Sequence, residues 1–338
     1  MLSQPTAGVN GFGRFGLHLL RYWLTHIASA NFTISYINDD TLTPLQILSI
    51  IQKDPHVRFD DFHITLIESR LSFATKDRTA TYDMEVSRTK SHAIPWLGIP
   101  RMFLECSGKH TNAATCAPFL VGDTAIVLIS ATSHNADATR IYGHNHTCIG
   151  QHEKIISYGS CTVNAYVPLA AWIDTKLGIV NSDVSVIHSV PEYKLQNSEF
   201  QTPERRSCTL EHSAPKFIRA LKQNNFRVNY TLIPYTGVSF IDIRFQITRD
   251  LSRETFVSML KEAFETKPLQ GLYSLIPEDS GPRAHRGTSY NVVFIESLVS
   301  IKGGNLYLCG YFDNENSAAR YFDLANDIAK RQFTKKIV

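Results

Sequence analysis

A chain of 338 residues, 43% of them hydrophobic and 11% aromatic, carries enough apolar material for two cores of ordinary size, so its length predicts two domains. Its 34 Lys and Arg nearly cancel 31 Asp and Glu, and a net charge of +3 leaves no broad footprint for nucleic acid or an anionic membrane. The opening MLSQPTAGVN lacks a charged segment followed by a long apolar run, and no stretch approaches a membrane span; the six cysteines form no CxxC pair and no metal-ligand spacing with the thirteen histidines, so a reduced, cytoplasmic protein without a metal is expected.

Along the chain, TAGVN (6–10), RFGLHLLRYWL (14–24), FTISYIN (32–38) and TPLQILSIIQ (43–52) alternate short β-branched runs with helical ones, the rhythm of parallel-sheet crossovers. RMFLEC (101–106) and TAIVLIS (124–130) read as further buried strands. After about residue 180 the runs lengthen and alternate, as in SVIHSV (185–190), VNYTLIP (228–234), VSFIDIRFQI (238–247), YNVVFIES (290–297) and NLYLCGYF (305–312), which predicts a mostly antiparallel sheet. Two helices stand out there, one capped by Ser252 and a terminal amphipathic one capped by Asn316, while 281–289 reads as a surface loop. The fold class is therefore α/β, a Rossmann-type doubly wound dinucleotide-binding domain followed by an α+β domain.

After the first strand comes Gly11-Phe12-Gly13-Arg14-Phe15-Gly16, running straight into an apolar helical pattern. Glycines at this spacing allow a tight turn, let backbone N–H groups approach a pyrophosphate and permit close helix-on-strand packing. A second strand ends Ile37-Asn38-Asp39, 23 residues past Gly16, where a carboxylate would accept from a ribose 2′-hydroxyl. A carboxylate there repels a 2′-phosphate, so NAD is expected over NADP, and Asp40 adds to that repulsion if it faces the same way.

Ser160-Cys161-Thr162-Val163-Asn164 follows a strand and opens a helix, which puts Cys161 at a helix start whose unpaired N–H groups favour a thiolate. The next strand carries His188, 27 residues on, within reach as a general base. A thiolate so activated should alkylate faster than the other five cysteines near neutral pH. Thiol, base and hydride acceptor together make an aldehyde-oxidising set.

GVNGFGRFG (8–16), IND (37–39), GHNH (143–146), SCTVN (160–164), VPLA (167–170), VIH (186–188) and FDNEN (312–316) stand in an order and spacing that resembles the phosphorylating glyceraldehyde-3-phosphate dehydrogenase family, with LECSG (104–108) and ISATS (129–133) matching more loosely. The resemblance implies a nucleotide domain over 1–160 joined by the C-terminal helix 316–338, and a catalytic domain over 161–315. It makes Cys161 the nucleophile, His188 its base, Asp39 the ribose acceptor and Asn314 the ligand of the nicotinamide carboxamide. Ser107, Gly108 and Ser130 join the cofactor set, and Ser160 and Thr162 are left to hold an attacking inorganic phosphate. It also implies a homo-oligomer, a dimer or tetramer, acting on a small aldehyde.

The chain departs from that pattern in the phosphate pockets. Pro191, Glu192 and Tyr193 stand where the family has a Thr-x-Thr pattern, Leu232-Ile233-Pro234 lacks the arginine before the proline, and His212-Ser213-Ala214 corresponds to a Ser-Thr-Gly turn. Arg205 and Arg206 are the foremost candidates to replace the missing anion ligands, and the chain between His188 and Pro234 is shorter than the family pattern, which bears on assembly. The reading is NAD-dependent oxidation of a small, phosphorylated aldehyde; the alternative is an impaired, NAD-binding paralogue that acts through a partner or senses nucleotide.

Overall fold

A computed structural model describes residues 4–314 and 317–333, apart from the side chain of Tyr193; the expected cap Asn316 lies outside the described residues. The described residues divide into two units, one of residues 4–140, 146–159 and 318–333, the other of 141–145, 160–314 and 317.

The first unit contains strands β1 (Thr6–Asn10), β2 (Thr33–Asn38), β3 (Phe62–Ile67), β4 (Arg70–Thr75), β5 (Thr81–Ser87), β6 (Met102–Glu105), β7 (Ile126–Ile129), β8 (Ala138–Thr139) and β9 (Ile155–Ser157). They form one sheet in the order β3-β4-β5-β2-β1-β6-β7-β9-β8. From β5 to β8 every pairing is parallel, whereas β3, β4 and β5 pair antiparallel at one edge. Helices α1 (Arg14–Thr25), α2 (Pro44–Lys53) and α3 (Ala113–Cys116) supply crossovers, and the capping box of Thr43 and Gln46 starts α2. The four residues of β6 and the four of β7 are all buried, as parallel strands covered on both faces must be.

In the second unit α4 (Cys161–Leu177) leads into β10 (Ile179–His188), followed by β11 (Glu204–Arg206), α5 (Thr209–Phe217), β12 (Phe226–Leu232), β13 (Val238–Ile247), α6 (Arg253–Glu265), β14 (Tyr273–Ile276), β15 (Val292–Ile295), β16 (Ser300–Lys302) and β17 (Asn305–Asp313). The sheet runs β11-β12-β10-β13-β17-β15-β14, with β16 on β17, and is antiparallel except for β10 with β12 and β14 with β15. Alternate residues of β10 and β13 point into a core with α4, where Tyr166 stacks on Phe245 at 5.5 Å. Ser252 caps α6 by accepting from the Thr255 N–H. Within 281–289 the chain is less loop-like than expected, since residues 282–285 form a 3₁₀ turn and His285 is buried.

Helix α4 contains Pro168, which lacks the N–H that would reach the Asn164 carbonyl. The Asn291 amide donates to that carbonyl at 2.9 Å, and the Tyr273 hydroxyl donates to Ala165 at 3.0 Å and accepts from the Leu169 N–H. Side chains from β14 and its neighbour thus do the work of the missing helical bond. The terminal helix α7 (Ala318–Phe333) packs on α1 in the first unit, and its Tyr321 hydroxyl donates to the Leu128 carbonyl of β7 at 2.6 Å.

Phe245 is fully buried between β13 and α4. Phe245→Ala should cost about 3–5 kcal/mol of stability through the cavity it leaves; urea unfolding of the purified variant measures this, and a loss under about 1 kcal/mol would show that the sheet collapses onto α4 without it.

Candidate functional site

In the first unit the loop between β1 and α1 has three glycines with three different surroundings. Gly11 sits at φ +97°, and a Cβ there would lie 2.4 Å from the Ser107 Cα; a Cβ on Gly16 would lie 2.4 Å from the Gly11 carbonyl oxygen. Both are places where only hydrogen fits. A Cβ on Gly13 would meet nothing within 4 Å, so the backbone at the N-cap of α1 faces open space, as an approaching phosphate requires.

The side chains of the intervening residues turn elsewhere. Phe12 is buried, Phe15 packs edge-on against Tyr158 and Tyr321, and Arg14 forms an ion pair with Asp54. Asp39 is buried and accepts four bonds: Oδ2 from the Phe12 N–H at 2.8 Å, and Oδ1 from the Thr41 N–H, the Thr41 hydroxyl and the Leu42 N–H. Burial alone would raise its pKa, but these donors together outweigh burial and hold the carboxyl below its ordinary value.

Behind the loop runs a buried polar chain that the sequence analysis missed. The Asn38 amide donates to Asn10 at 2.9 Å, the Asn10 amide donates to Glu105 at 2.7 Å, and Glu105 accepts from the Ser107 N–H at 2.8 Å and from its hydroxyl. Burial pushes the Glu105 carboxyl up to about 7, although the Ser107 and Asn10 donors oppose this. Ser130 is tied to the same place by its N–H on the Glu105 carbonyl at 3.0 Å, while Gly108 is exposed at φ +70°. A lone carboxylate inside the apolar run Met102-Phe103-Leu104-Glu105-Cys106 was the available signal.

In the second unit the helix and strand of the cysteine motif turn back on each other. Ser160 caps α4 by accepting from the Val163 N–H, Cys161 follows as its first residue, and the Cys161 Sγ lies 3.6 Å from His188 Nε2 at the end of β10. His188 Nδ1 lies 2.6 Å from the Ser189 carbonyl oxygen, which can only accept, so Nδ1 carries the proton and the Nε2 lone pair faces the thiol. Tyr230 and Phe312 flank the imidazole with ring centroids 5.1 and 5.9 Å away.

Burial works against the thiolate expected from the helix start. Burial pushes the Cys161 thiol up to about 12, Cys208 adds to the rise, and the Thr162 and Cys161 N–H groups pull it down without prevailing. Burial likewise holds His188 down to about 4; the Ser189 carbonyl, favouring the protonated ring, opposes this and the charge of Lys194 reinforces it. Both shifts favour the uncharged forms, a neutral thiol and a neutral imidazole. Position on a helix is legible in a sequence, whereas the desolvation that overrides it is not.

Asn314 accepts from the Ser239 hydroxyl at 2.9 Å and donates to the Ser189 hydroxyl at 2.9 Å, so its amide is engaged with the residue that orients His188. Ser160 and Thr162 lie with hydroxyl oxygens 3.2 Å apart, and a third hydroxyl, Thr209, is 3.2 Å from Ser160. His212-Ser213-Ala214 therefore does not take the place expected of it: these residues lie inside α5, with Ser213 and Ala214 buried, and the turn at that helix start is Cys208-Thr209-Leu210. The signal for it is a near-repeat, Ser160-Cys161-Thr162-Val163 and Ser207-Cys208-Thr209-Leu210, each opening a helix. Across the repeat Thr162 Oγ1 lies 3.6 Å from the buried Cys208 Sγ.

Arg205 is exposed on β11, opposite Thr231. Arg206 lies opposite Tyr230, pairs with Glu204 at 2.7 Å and Glu199 at 3.9 Å, and stacks over Phe200, whose other cation is Lys194. Glu192 is exposed, Leu232 ends β12, and the Tyr193 side chain lies outside the described residues. Among the described residues no three His, Cys, Asp or Glu side chains gather as metal ligands, and no helix is long and apolar enough to cross a membrane.

Comparison with known proteins places this chain near one group of enzymes. No family model matches it. It is 25% identical over 320 residues to the glyceraldehyde-3-phosphate dehydrogenase of Cereibacter sphaeroides, covering 91% of this chain and 93% of that protein. It is 26% identical over 326 residues to the Pseudomonas aeruginosa protein of that name, covering 91% and 92%, and 24% identical over 338 residues to glyceraldehyde-3-phosphate dehydrogenase 2 of Trichormus variabilis, covering 96% and 98%.

A thiol pushed up to about 12 has a thiolate fraction that grows tenfold for each pH unit below that value. Alkylation of Cys161 by iodoacetamide should therefore rise about tenfold per unit from about pH 6 to about pH 9. The exposed Cys148 should react first, contrary to the sequence-based expectation. Peptide mapping by mass spectrometry measures both rates, and a plateau for Cys161 below about pH 8 would reveal a preformed thiolate–imidazolium pair instead.

Proposed function

We propose that this distant relative of the glyceraldehyde-3-phosphate dehydrogenases is an NAD-dependent aldehyde dehydrogenase that works through a covalent cysteine adduct. The observation that carries the reading is the 3.6 Å approach of Cys161 Sγ to a His188 whose lone pair faces it.

The neutral resting pair sets the order of events. His188 Nε2 takes the thiol proton as Sγ bonds to the aldehyde carbon, so base and nucleophile act in one step. The imidazolium then donates to the oxyanion of the thiohemiacetal, and the Cys161 N–H at the start of α4 is its second donor. NAD, when bound, would supply the hydride acceptor, and the backbone at Gly13 and the start of α1 would hold its pyrophosphate. Arg14 and Phe15 serve the loop by bracing it, since their side chains are committed to Asp54 and to Tyr158 and Tyr321. Asn314 positions the base through Ser189 and offers its remaining acceptor capacity to the carboxamide. Release of the acyl group falls to inorganic phosphate held by the hydroxyls of Ser160, Thr162 and Thr209 at two helix starts. The protein works as a homo-oligomer in the cytoplasm.

A non-catalytic, nucleotide-sensing role has one observation in its favour: Arg206 is neutralised by Glu204 and Glu199 and not free for a substrate phosphate. Purified protein with NAD and a panel of small aldehydes, with and without inorganic phosphate, separates the two by the appearance of reduced nicotinamide. Cys161→Ser should abolish turnover, and His188→Asn should lower kcat/KM by about 10²–10⁴. NAD binding without turnover of any aldehyde would sink the dehydrogenase reading and leave the sensor.

A further inference from the structure

We infer that Glu105 takes up a proton from solvent when a dinucleotide binds, and that the Ser107 hydroxyl carries this change to the ligand. The inference rests on the dinucleotide reading of the glycine loop and goes beyond it by coupling cofactor binding to pH at one named group.

Glu105 ends β6 and is 1% exposed, behind a pocket of about 250 Å³ lined by Asn10, Gly11, His92, Ser107, Lys109 and His110 among others. The direction of each bond in the polar chain leading to it is fixed from the far end. The Thr89 N–H donates to Asn38 Oδ1 at 3.2 Å and the Thr89 carbonyl accepts from Asn38 Nδ2 at 3.0 Å, so backbone groups decide which way that amide points. Asn38 Nδ2 donates to Asn10 Oδ1, which turns Asn10 Nδ2 onto Glu105 Oε2. Glu105 Oε1 accepts from the Ser107 N–H and from the Ser107 hydroxyl.

Of these three donors only the hydroxyl can also accept. One lone pair of its oxygen takes the Lys109 N–H at 3.1 Å, and the other is left over. With Glu105 ionised, the hydroxyl proton points back at the carboxylate and the spare lone pair is left for the pocket. With Glu105 protonated, its new O–H takes that lone pair, and the Ser107 proton swings outward as a donor. A phosphate thus meets a buried negative charge and a lone pair in the first state, and a hydrogen-bond donor in the second.

The titratable groups acting on Glu105 from the elements around it are Cys106, Cys116 of α3, Tyr321 of α7 and Lys109. Burial keeps both thiols and the phenol neutral, so Lys109, itself paired with Asp40, is the charge that draws the carboxyl down. Burial outweighs it and pushes Glu105 up to about 7, which leaves both states within reach. A bound anion raises the carboxyl further. Affinity is therefore full below the value of the free protein, falls as pH rises through it, and levels once the bound form is ionised too.

Isothermal titration of the full chain with NAD, in buffers of different ionisation enthalpy, counts the protons taken up on binding. About half a proton is expected near pH 7.5, with affinity falling about tenfold from about pH 6 to about pH 9. Glu105→Gln should abolish the uptake and flatten the profile. Ser107→Ala, a half-buried change that keeps Glu105 in place, removes a donor to the carboxylate and should move the fall to higher pH. Replacing His92 and His110 together by Asn should leave the uptake as it is. Binding without uptake in the parent, uptake that survives Glu105→Gln, or uptake lost with the two histidines would overturn the assignment. Parent protein that binds no NAD at any pH would overturn the dinucleotide reading, and this inference with it.

Discussion

The geometry of the second unit's candidate site hangs on one short hydrogen bond, from His188 Nδ1 to the carbonyl of the very next residue. It decides which ring nitrogen carries the proton, and so which nitrogen can take one. The bond is local in sequence but needs the chain to leave β10 sharply after His188. Ser189 is held there by its N–H on the Ser239 hydroxyl at 2.9 Å and by its own hydroxyl on the Gly237 carbonyl at 2.5 Å. Asn314 closes this arrangement from the end of β17. Three adjacent strands thus cooperate to present one lone pair to one sulfur.

The first unit shows the same economy with backbone groups in place of an imidazole. Asp39 reaches across from the end of β2 to the Phe12 N–H, and the Gly11 N–H donates to the Asn38 carbonyl at 2.7 Å. The glycine loop is therefore pinned from the neighbouring strand, while a Cβ at Gly13 would meet nothing within 4 Å. Glu105 completes the support from β6, on the opposite side of β1. The parallel order β2-β1-β6 is what brings these three strand ends to one edge.

Much of this was legible in the residues themselves. The α/β rhythm up to β7, the long alternating strands after residue 180 and the helix capped by Ser252 follow from periodicity and capping chemistry. The hairpin of β3 and β4 went unread although Phe62, Ile64 and Leu66 alternate with the exposed His63 and Thr65. Helix α5 was hidden by its shortness and by Pro215 near its end. At the site, the approach of Cys161 to His188 could be anticipated from a helix and a returning strand, but burial works against the ionisation that the helix start favours. Thr209 went unseen because its helix did, although the repeated Ser-Cys-Thr was in view. Arg206 was chosen for its charge, and only the fold reveals that Glu204 and Glu199 already claim it.

The high thiol pKa at Cys161 also bears on how long such a protein lasts in a cell. Peroxides and soft electrophiles attack thiolates far faster than thiols. A cysteine whose neutral form is favoured presents little anion to such reagents. Burial at the start of α4 thereby trades a permanently charged sulfur for chemical endurance.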